Sequence, residues 1–131
     1  MKKVTGIGGI FFRCADVETT KAWYKRHLGL DVDQYGCTFK QRVAVDIDEN
    51  ATQQWSPFPH DTSYIDNPDQ QFMINYKVEN LTTLVALLIE EGVEIMGTIE
   101  GFDYGLFACI KDCDGRKLEL WQPKNEVIFN K

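Results

Sequence analysis

The sequence has no basic run. Its 131 residues carry 14 Lys and Arg against 20 Asp and Glu, a formal net charge of −6, with a pI near 4.8. Proteins that grip phosphate backbones do so with clustered cations, so a nucleic-acid partner is not expected. Long apolar runs are missing as well. Stretches such as LVALLI fall far short of the ~20 residues a helix needs to span a bilayer, so no membrane partner is expected either. No CxxC pair occurs, and the only two histidines are His27 and His60, which argues against a structural zinc site. Cys14, Cys37, Cys109 and Cys113 are expected to be four reduced thiols. The N-terminal MKKVTGIGGIFF has two lysines, but a strand pattern follows where a signal peptide would have its cleavage site. It reads as mature, cytoplasmic sequence.

What is present is the composition of a soluble globular domain, 44% apolar and 26% charged. The length fits one ordinary domain or two small fused modules. Residues 7–14 alternate and are rich in Ile and Phe, predicting a strand. Asp16 then stands as a helix N-cap, Val17, Lys21, Tyr24 and Leu28 follow at helical spacing, and Gly29 sits where a C-cap glycine belongs. Short strands are predicted near 31–39, 42–47 and 52–57, with a turn at Asp48-Glu49-Asn50 between the last two. The pattern then recurs. A strand is predicted from Phe72 to Val78, a helix capped by Asn80 carries Leu81, Leu84, Val85 and Leu88, and Gly92 ends it. Strands near 93–99, 105–111 and 116–121 follow, the last two joined by a type I turn at 112–115. Asp16 and Asn80 are 64 residues apart, and Gly29 and Gly92 are 63 apart. The expected fold is therefore α+β: two tandem βαβββ modules, 1–66 and 67–131, forming a curved mixed sheet with helices outside and a central cup. A ferredoxin-like βαββαβ sandwich is the alternative, disfavoured by the three strand signals after each helix.

Strand residues alternate between faces, so parity assigns the cup lining. Ile10, Phe12 and Cys14 go to the helix side, and Gly9, Phe11 and Arg13 to the other. Phe72, Ile74, Tyr76 and Val78 face a helix, whereas Met73, Asn75 and Lys77 do not. In the last strand Leu118 and Leu120 take the helix side, and Lys117, Glu119 and Trp121 the other. One face is uniformly apolar and the other mixes charge, amide and aromatic groups, as a small-molecule cavity does. Glu119, flanked by Leu118 and Leu120 in KLELWQP, is thereby expected in the cavity and not in the core, where a lone carboxylate is costly.

Three segments, IFFRCADVETTKAWYKRHLGL, INYKVENLTTLVALLIEEGVEI and YGLFACIKDCDGRKLELWQP, together resemble the vicinal oxygen chelate superfamily of glyoxalase I, bleomycin-resistance proteins and extradiol dioxygenases. The resemblance covers essentially the whole chain and is nearest to short bacterial glyoxalase-like members. It implies a divalent-metal position on the cup floor, with ligands from the first and fourth strand of each module. Carried over by position, those ligands fall on Gly9, Met73, Glu119 and, less securely, Gln54. Glycine has no side chain, and a thioether is too soft for a site of this kind. The expectation is therefore no metal and no cofactor. The resemblance also implies a homodimer.

Three classes of function stay open. One is a small-molecule-binding protein of the bleomycin-resistance kind. Another is a metal-independent enzyme with Glu119 as general base. The third is a metal-dependent lyase or isomerase of the glyoxalase I type. The candidate ligand-binding residues are Phe11, Arg13, Gln54, Trp55, Met73, Asn75, Lys77 and Trp121. Arg13 and Lys77 are 64 residues apart, the repeat offset, and are expected to face each other as anchors for an anionic group. Neutralisation of nearby acids is the competing role for both cations. Trp55 has core packing as its alternative, Trp23 and Tyr24 read as packing, and His27 reads as a surface residue near a helix C-terminus. His60, in the connecting loop PFPHDTSY, is a candidate to close over the cup mouth.

Overall fold

The computed structural model describes residues 3–43, 46–112 and 115–124. In order, the elements are β1 (Val4–Cys14), α1 (Val17–Leu28), β2 (Cys37–Val43), β3 (Asp46–Pro59), β4 (Phe72–Val78), α2 (Leu81–Glu90), β5 (Ile95–Phe102), β6 (Gly105–Lys111) and β7 (Lys117–Pro123). The fold is α+β, with seven strands in mixed parallel and antiparallel pairing and two helices. No described helix is long and apolar enough to cross a membrane. Two compact units divide the chain: one takes residues up to Gly8 and from Ile74 on, and the other is Gly9–Met73.

In the unit from Ile74 on, β4 pairs with β7 in parallel, and β7–β6 and β6–β5 are antiparallel. The Asn80 side chain accepts from Thr83 N at 3.2 Å, which satisfies an orphan donor at the start of α2. The helix then presents Leu81, Leu84 and Val85 to the sheet. They are buried with Val78, Ala108, Ile110 and Leu120, and Tyr76, Leu88, Ile95, Leu106 and Leu118 pack against that cluster. Each fully buried aliphatic side chain stabilises by roughly 1.5–3 kcal/mol. The 112–115 turn closes with Gly115 N donating to Asp112 O at 3.1 Å, Gly115 having φ +82°. Its central residues Cys113 and Asp114 lie outside the described residues.

In the Gly9–Met73 unit, β1 pairs in parallel with β3, and β2 antiparallel with β3. Asp16 caps α1, accepting from Glu18 N and Thr19 Oγ1, and Gly29 ends it in the left-handed region at φ +71°. This helix is anchored differently from α2. Tyr24 lies 4.7 Å from the Trp55 ring, and Trp55 lies 5.4 Å from Phe12. Lys21 is buried on the same helix, with Nζ donating to Asp33 O at 3.0 Å and lying 2.9 Å from Glu18 Oε2.

Two expectations fail here. Three strands were expected after α1, and two are found among the described residues. Val32 makes only an isolated bridge to Cys37, because Asp33 folds the chain back: its Oδ1 accepts from Tyr35 N at 2.8 Å and Gly36 N at 3.1 Å. The turn expected at Asp48-Glu49-Asn50 is strand. All three belong to the long β3, which fuses most of the two short strands expected there.

Candidate ligand-binding site

The parallel register of β4 and β7 sets Asn75 opposite Glu119 and Lys77 opposite Trp121. The intervening Tyr76 and Leu120 belong to the core under α2, so these four side chains point to the other face. Asn75 is 1% exposed, Glu119 4% and Lys77 6%. Lys117 is buried too. Asn75 Nδ2 donates to Glu119 Oε1 at 2.6 Å, a short bond that fixes the carboxyl group. Lys77 Nζ lies 5.7 Å from the Trp121 ring centroid, within cation–π range. Trp121 is also stacked with Phe107 at 5.8 Å and an interplanar angle of 7°, and its Nε1 donates to Tyr104 O at 2.8 Å. The indole is thus fixed between a cation and a second ring, so Lys77 is held in place and not merely tethered.

The amide of Asn75 is held in one orientation. With Nδ2 committed to Glu119, Oδ1 is turned toward the backbone of Gly8. It has no hydrogen-bond partner among the described residues. A Cβ on Gly8 would lie 1.8 Å from Oδ1 and 3.0 Å from Trp121 Cε3. Gly8 therefore belongs to the site as the residue that leaves room for Asn75. Sequence reasoning passed over it, and the only signal was the GIGG spelling within a strand pattern.

The Gly9–Met73 unit holds the other expected residues, and they do different work. Phe11 is buried, stacked on Phe58 at 5.3 Å, in a cluster with Ile65 and Met73. Met73 is 0% exposed. Arg13 directs its guanidinium at backbone carbonyls of residues 60–70 and not toward a carboxylate. Gln54 lies between Thr38 and Ser56, accepting from Thr38 Oγ1 and donating to Ser56 Oγ at 3.3 Å. Trp55, for which cup lining and core packing were the alternatives, packs between Phe12 and Tyr24 on the α1 side; its register partner is Ile10, a helix-side residue. Phe11 pairs with Ser56 as Asn75 pairs with Glu119. Ser56, not Gln54, is therefore the positional counterpart of Glu119.

A divalent-metal centre needs several converging oxygen or nitrogen donors. Among the described residues no three His, Cys, Asp or Glu side chains come together. Glu119 is hydrogen-bonded to an amide, Met73 is packed under Ile65, and a Cβ on Gly9 would lie 2.5 Å from Gln54 O. The residues present do not fit such a metal.

The chain belongs to the Glyoxalase/Bleomycin resistance protein/Dioxygenase superfamily, whose model matches residues 6–120. Similar solved structures include methylmalonyl-CoA epimerase from Mycobacterium tuberculosis, 20% identical, with a TM-score of 0.66 over 98% of this chain and 95% of that one. A Streptomyces coelicolor methylmalonyl-CoA epimerase variant in complex with 2-nitronate-propionyl-CoA is 14% identical, with a TM-score of 0.69 over 92% and 98%. A protein described as an NAD-dependent benzaldehyde dehydrogenase from Legionella pneumophila is 11% identical, with a TM-score of 0.55 over 88% and 98%. At these identities the likeness is one of fold. No curated protein matches the chain.

Proposed function

We propose that the protein binds a small, partly apolar organic anion on the β4–β7 face that carries Asn75, Lys77, Lys117, Glu119 and Trp121. One observation carries this reading. Lys77, buried and 5.7 Å from the Trp121 ring centroid, shares one strand face with Asn75 and Glu119, so a cationic group, hydrogen-bonding groups and an aromatic wall come together as a partly apolar anion requires. Lys77 acts as the point charge, steadied by Trp121. Glu119 offers its carboxylate to a hydroxyl or amine of the ligand.

A second reading adds chemistry to the same site. Asn75 fixes Glu119 in a buried setting, as suits a general base that removes a proton from carbon and returns it. Some structural neighbours are epimerases with acyl-CoA compounds bound, so CoA thioesters enter the first panel of ligands. The metal-dependent reading of the glyoxalase I type has no donor set to rest on among the described residues. Cytoplasmic location and a homodimer without cofactor complete the reading. A monomeric mass at tens of micromolar would count against the dimer.

The test is calorimetric titration of aliphatic and aromatic carboxylates and acyl-CoA thioesters. Wild type should bind at least one class, and Lys77→Met should weaken that binding tenfold or more with the fold intact. Equal affinity in both would remove Lys77 from the site. Wild-type exchange of a ligand C–H with solvent deuterium, lost in Glu119→Gln while binding persists, would establish the base. Binding without exchange in wild type would leave a binding protein.

A further inference from the structure

The segment between β3 and β4 contains no helix or strand over residues 61–71, yet it is tied down at many points by one residue. Arg13 Nε donates to Gln70 O at 2.9 Å, Nη1 to His60 O at 2.6 Å, and Nη2 to both Ile65 O and Asn67 O, the latter at 3.0 Å. The Arg13 backbone N donates to Gln71 O at 3.1 Å. Four of the five guanidinium N–H groups are thus spent on carbonyls of this one segment. Midway along it, Ile65 is 0% exposed and packs against Phe11 and Met73, with Phe58 and Tyr64 alongside. Phe11 and Met73 were the side chains expected to line a cavity, and here the chain's own Ile65 covers them.

We infer that residues 60–71 form a latched strap: Ile65 closes an apolar seat made by Phe11, Phe58 and Met73, and the Arg13 guanidinium is the latch that keeps it closed. Backbone carbonyls outside helix and strand need other donors, and the segment meets part of that need itself. Thr62 N to Pro59 O and Gln70 N to Asn67 O are its backbone turns. The Arg13 side chain supplies donors to four of its carbonyls. Because the four bonds share one rigid fork, they form and break together, so the strap moves as a unit. Release would unseat Ile65 and uncover an apolar patch large enough for a branched aliphatic group or a ring. The latch is reachable from outside. Arg13, Cys14, Ala15, His60, Pro68 and Gln71 line an open pocket of about 470 Å³. Cys14 in that pocket donates its thiol to Phe58 O at 3.3 Å, which places a chemical reporter beside the strap.

Hydrogen–deuterium exchange of the full chain, followed by peptide, tests it alongside alkylation of Cys14. Arg13→Met should raise exchange in 60–71 at least tenfold and speed Cys14 alkylation similarly, while α2 and β6 keep wild-type protection. Arg13→Lys should fall between, because one ammonium cannot span four carbonyls. Unchanged protection in 60–71, or equal loss of protection across the chain, would overturn the latch. If Arg13→Met does not fold, Arg13→Lys carries the same prediction. Ile65→Ala tests the seat with the latch intact: exchange should rise at 64–66 while the Arg13-bonded ends near 60 and 70 stay protected. Unchanged exchange at 64–66 would overturn the seat.

Discussion

The two parallel strand pairs share one register and hold opposite chemistry. In β1·β3, Phe11 stands across from Ser56 and Arg13 across from Phe58. In β4·β7, Asn75 stands across from Glu119 and Lys77 across from Trp121. Each pair sets a cation beside an aromatic residue. Around the first pair the unit is filled with Phe11, Ile65 and Met73, and its cation is consumed by backbone carbonyls. Around the second, Asn75, Lys77, Lys117 and Glu119 are each buried. The same strand register therefore does not imply the same side-chain chemistry. Apolar filling stabilises one pair's surroundings, and the other accepts the desolvation cost of buried polar groups.

The largest expected effect comes from Gly8. Valine there puts a Cβ 1.8 Å from Asn75 Oδ1, so Gly8→Val should cost roughly 3 kcal/mol or more, read by urea denaturation. Wild-type stability would show that Asn75 does not need its present position. Next is the contrast between helices. Leu84→Ala, in the apolar seat of α2, should lose about 2–5 kcal/mol. Lys21→Met in α1 replaces a buried, partnered cation with an apolar chain of similar length and should cost less than about 1.5 kcal/mol. Equal losses would erase the distinction between the helices. Smaller again is the contrast between register counterparts. Asn75→Ala removes the 2.6 Å donor to Glu119 and should cost about 1–3 kcal/mol. Ser56→Ala loses only a 3.3 Å bond from Gln54 and should cost about 1 kcal/mol or less.

The smallest effect is a pH dependence that separates the two helix caps. The Thr19 hydroxyl, together with backbone N–H groups of Glu18 and Thr19, holds the Asp16 carboxyl below its ordinary value of 3.8. A depressed carboxyl contributes stability above its unfolded value and loses it as pH falls through the folded one. Asn80 at the corresponding cap of α2 does not titrate. Acid denaturation below about pH 4 should therefore loosen α1 slightly before α2, and Asp16→Asn should remove that difference. Helix-resolved NMR shifts would show it, and identical acid profiles for both helices in wild type would refute it.

Much of this was legible from spacing. Both helices, their Asp16 and Asn80 caps, strands β4 to β7 and the face assignment of Asn75, Lys77, Glu119 and Trp121 follow from period and turn residues, because one face of each element is buried. What escaped was decided elsewhere. Residues 31–39 looked like a strand, but the Asp33 side chain competes for the backbone and makes a turn. The polar Asp48-Glu49-Asn50 looked like a turn, yet β3 runs through it, paired with β2 on either side at Ile47 and Thr52. Trp55 kept cup lining and core packing as open alternatives, because its parity depends on pairing with Ile10, a long-range fact. The roles of Arg13 and Gly8 are invisible locally, since their partners lie more than 45 residues away in the chain.

The fixing of Trp121 between Lys77 and Phe107 has an optical consequence. Indole emission responds to a charge held near the ring, and here an ammonium sits 5.7 Å from its centroid. An anion that draws Lys77 away would change the field at the chromophore, so occupancy should register as a shift in emission colour without any added label. Of the other two tryptophans, Trp23 is half exposed on α1 and Trp55 is packed against Tyr24. Their light would be a steady background, and Trp121→Phe would silence the signal.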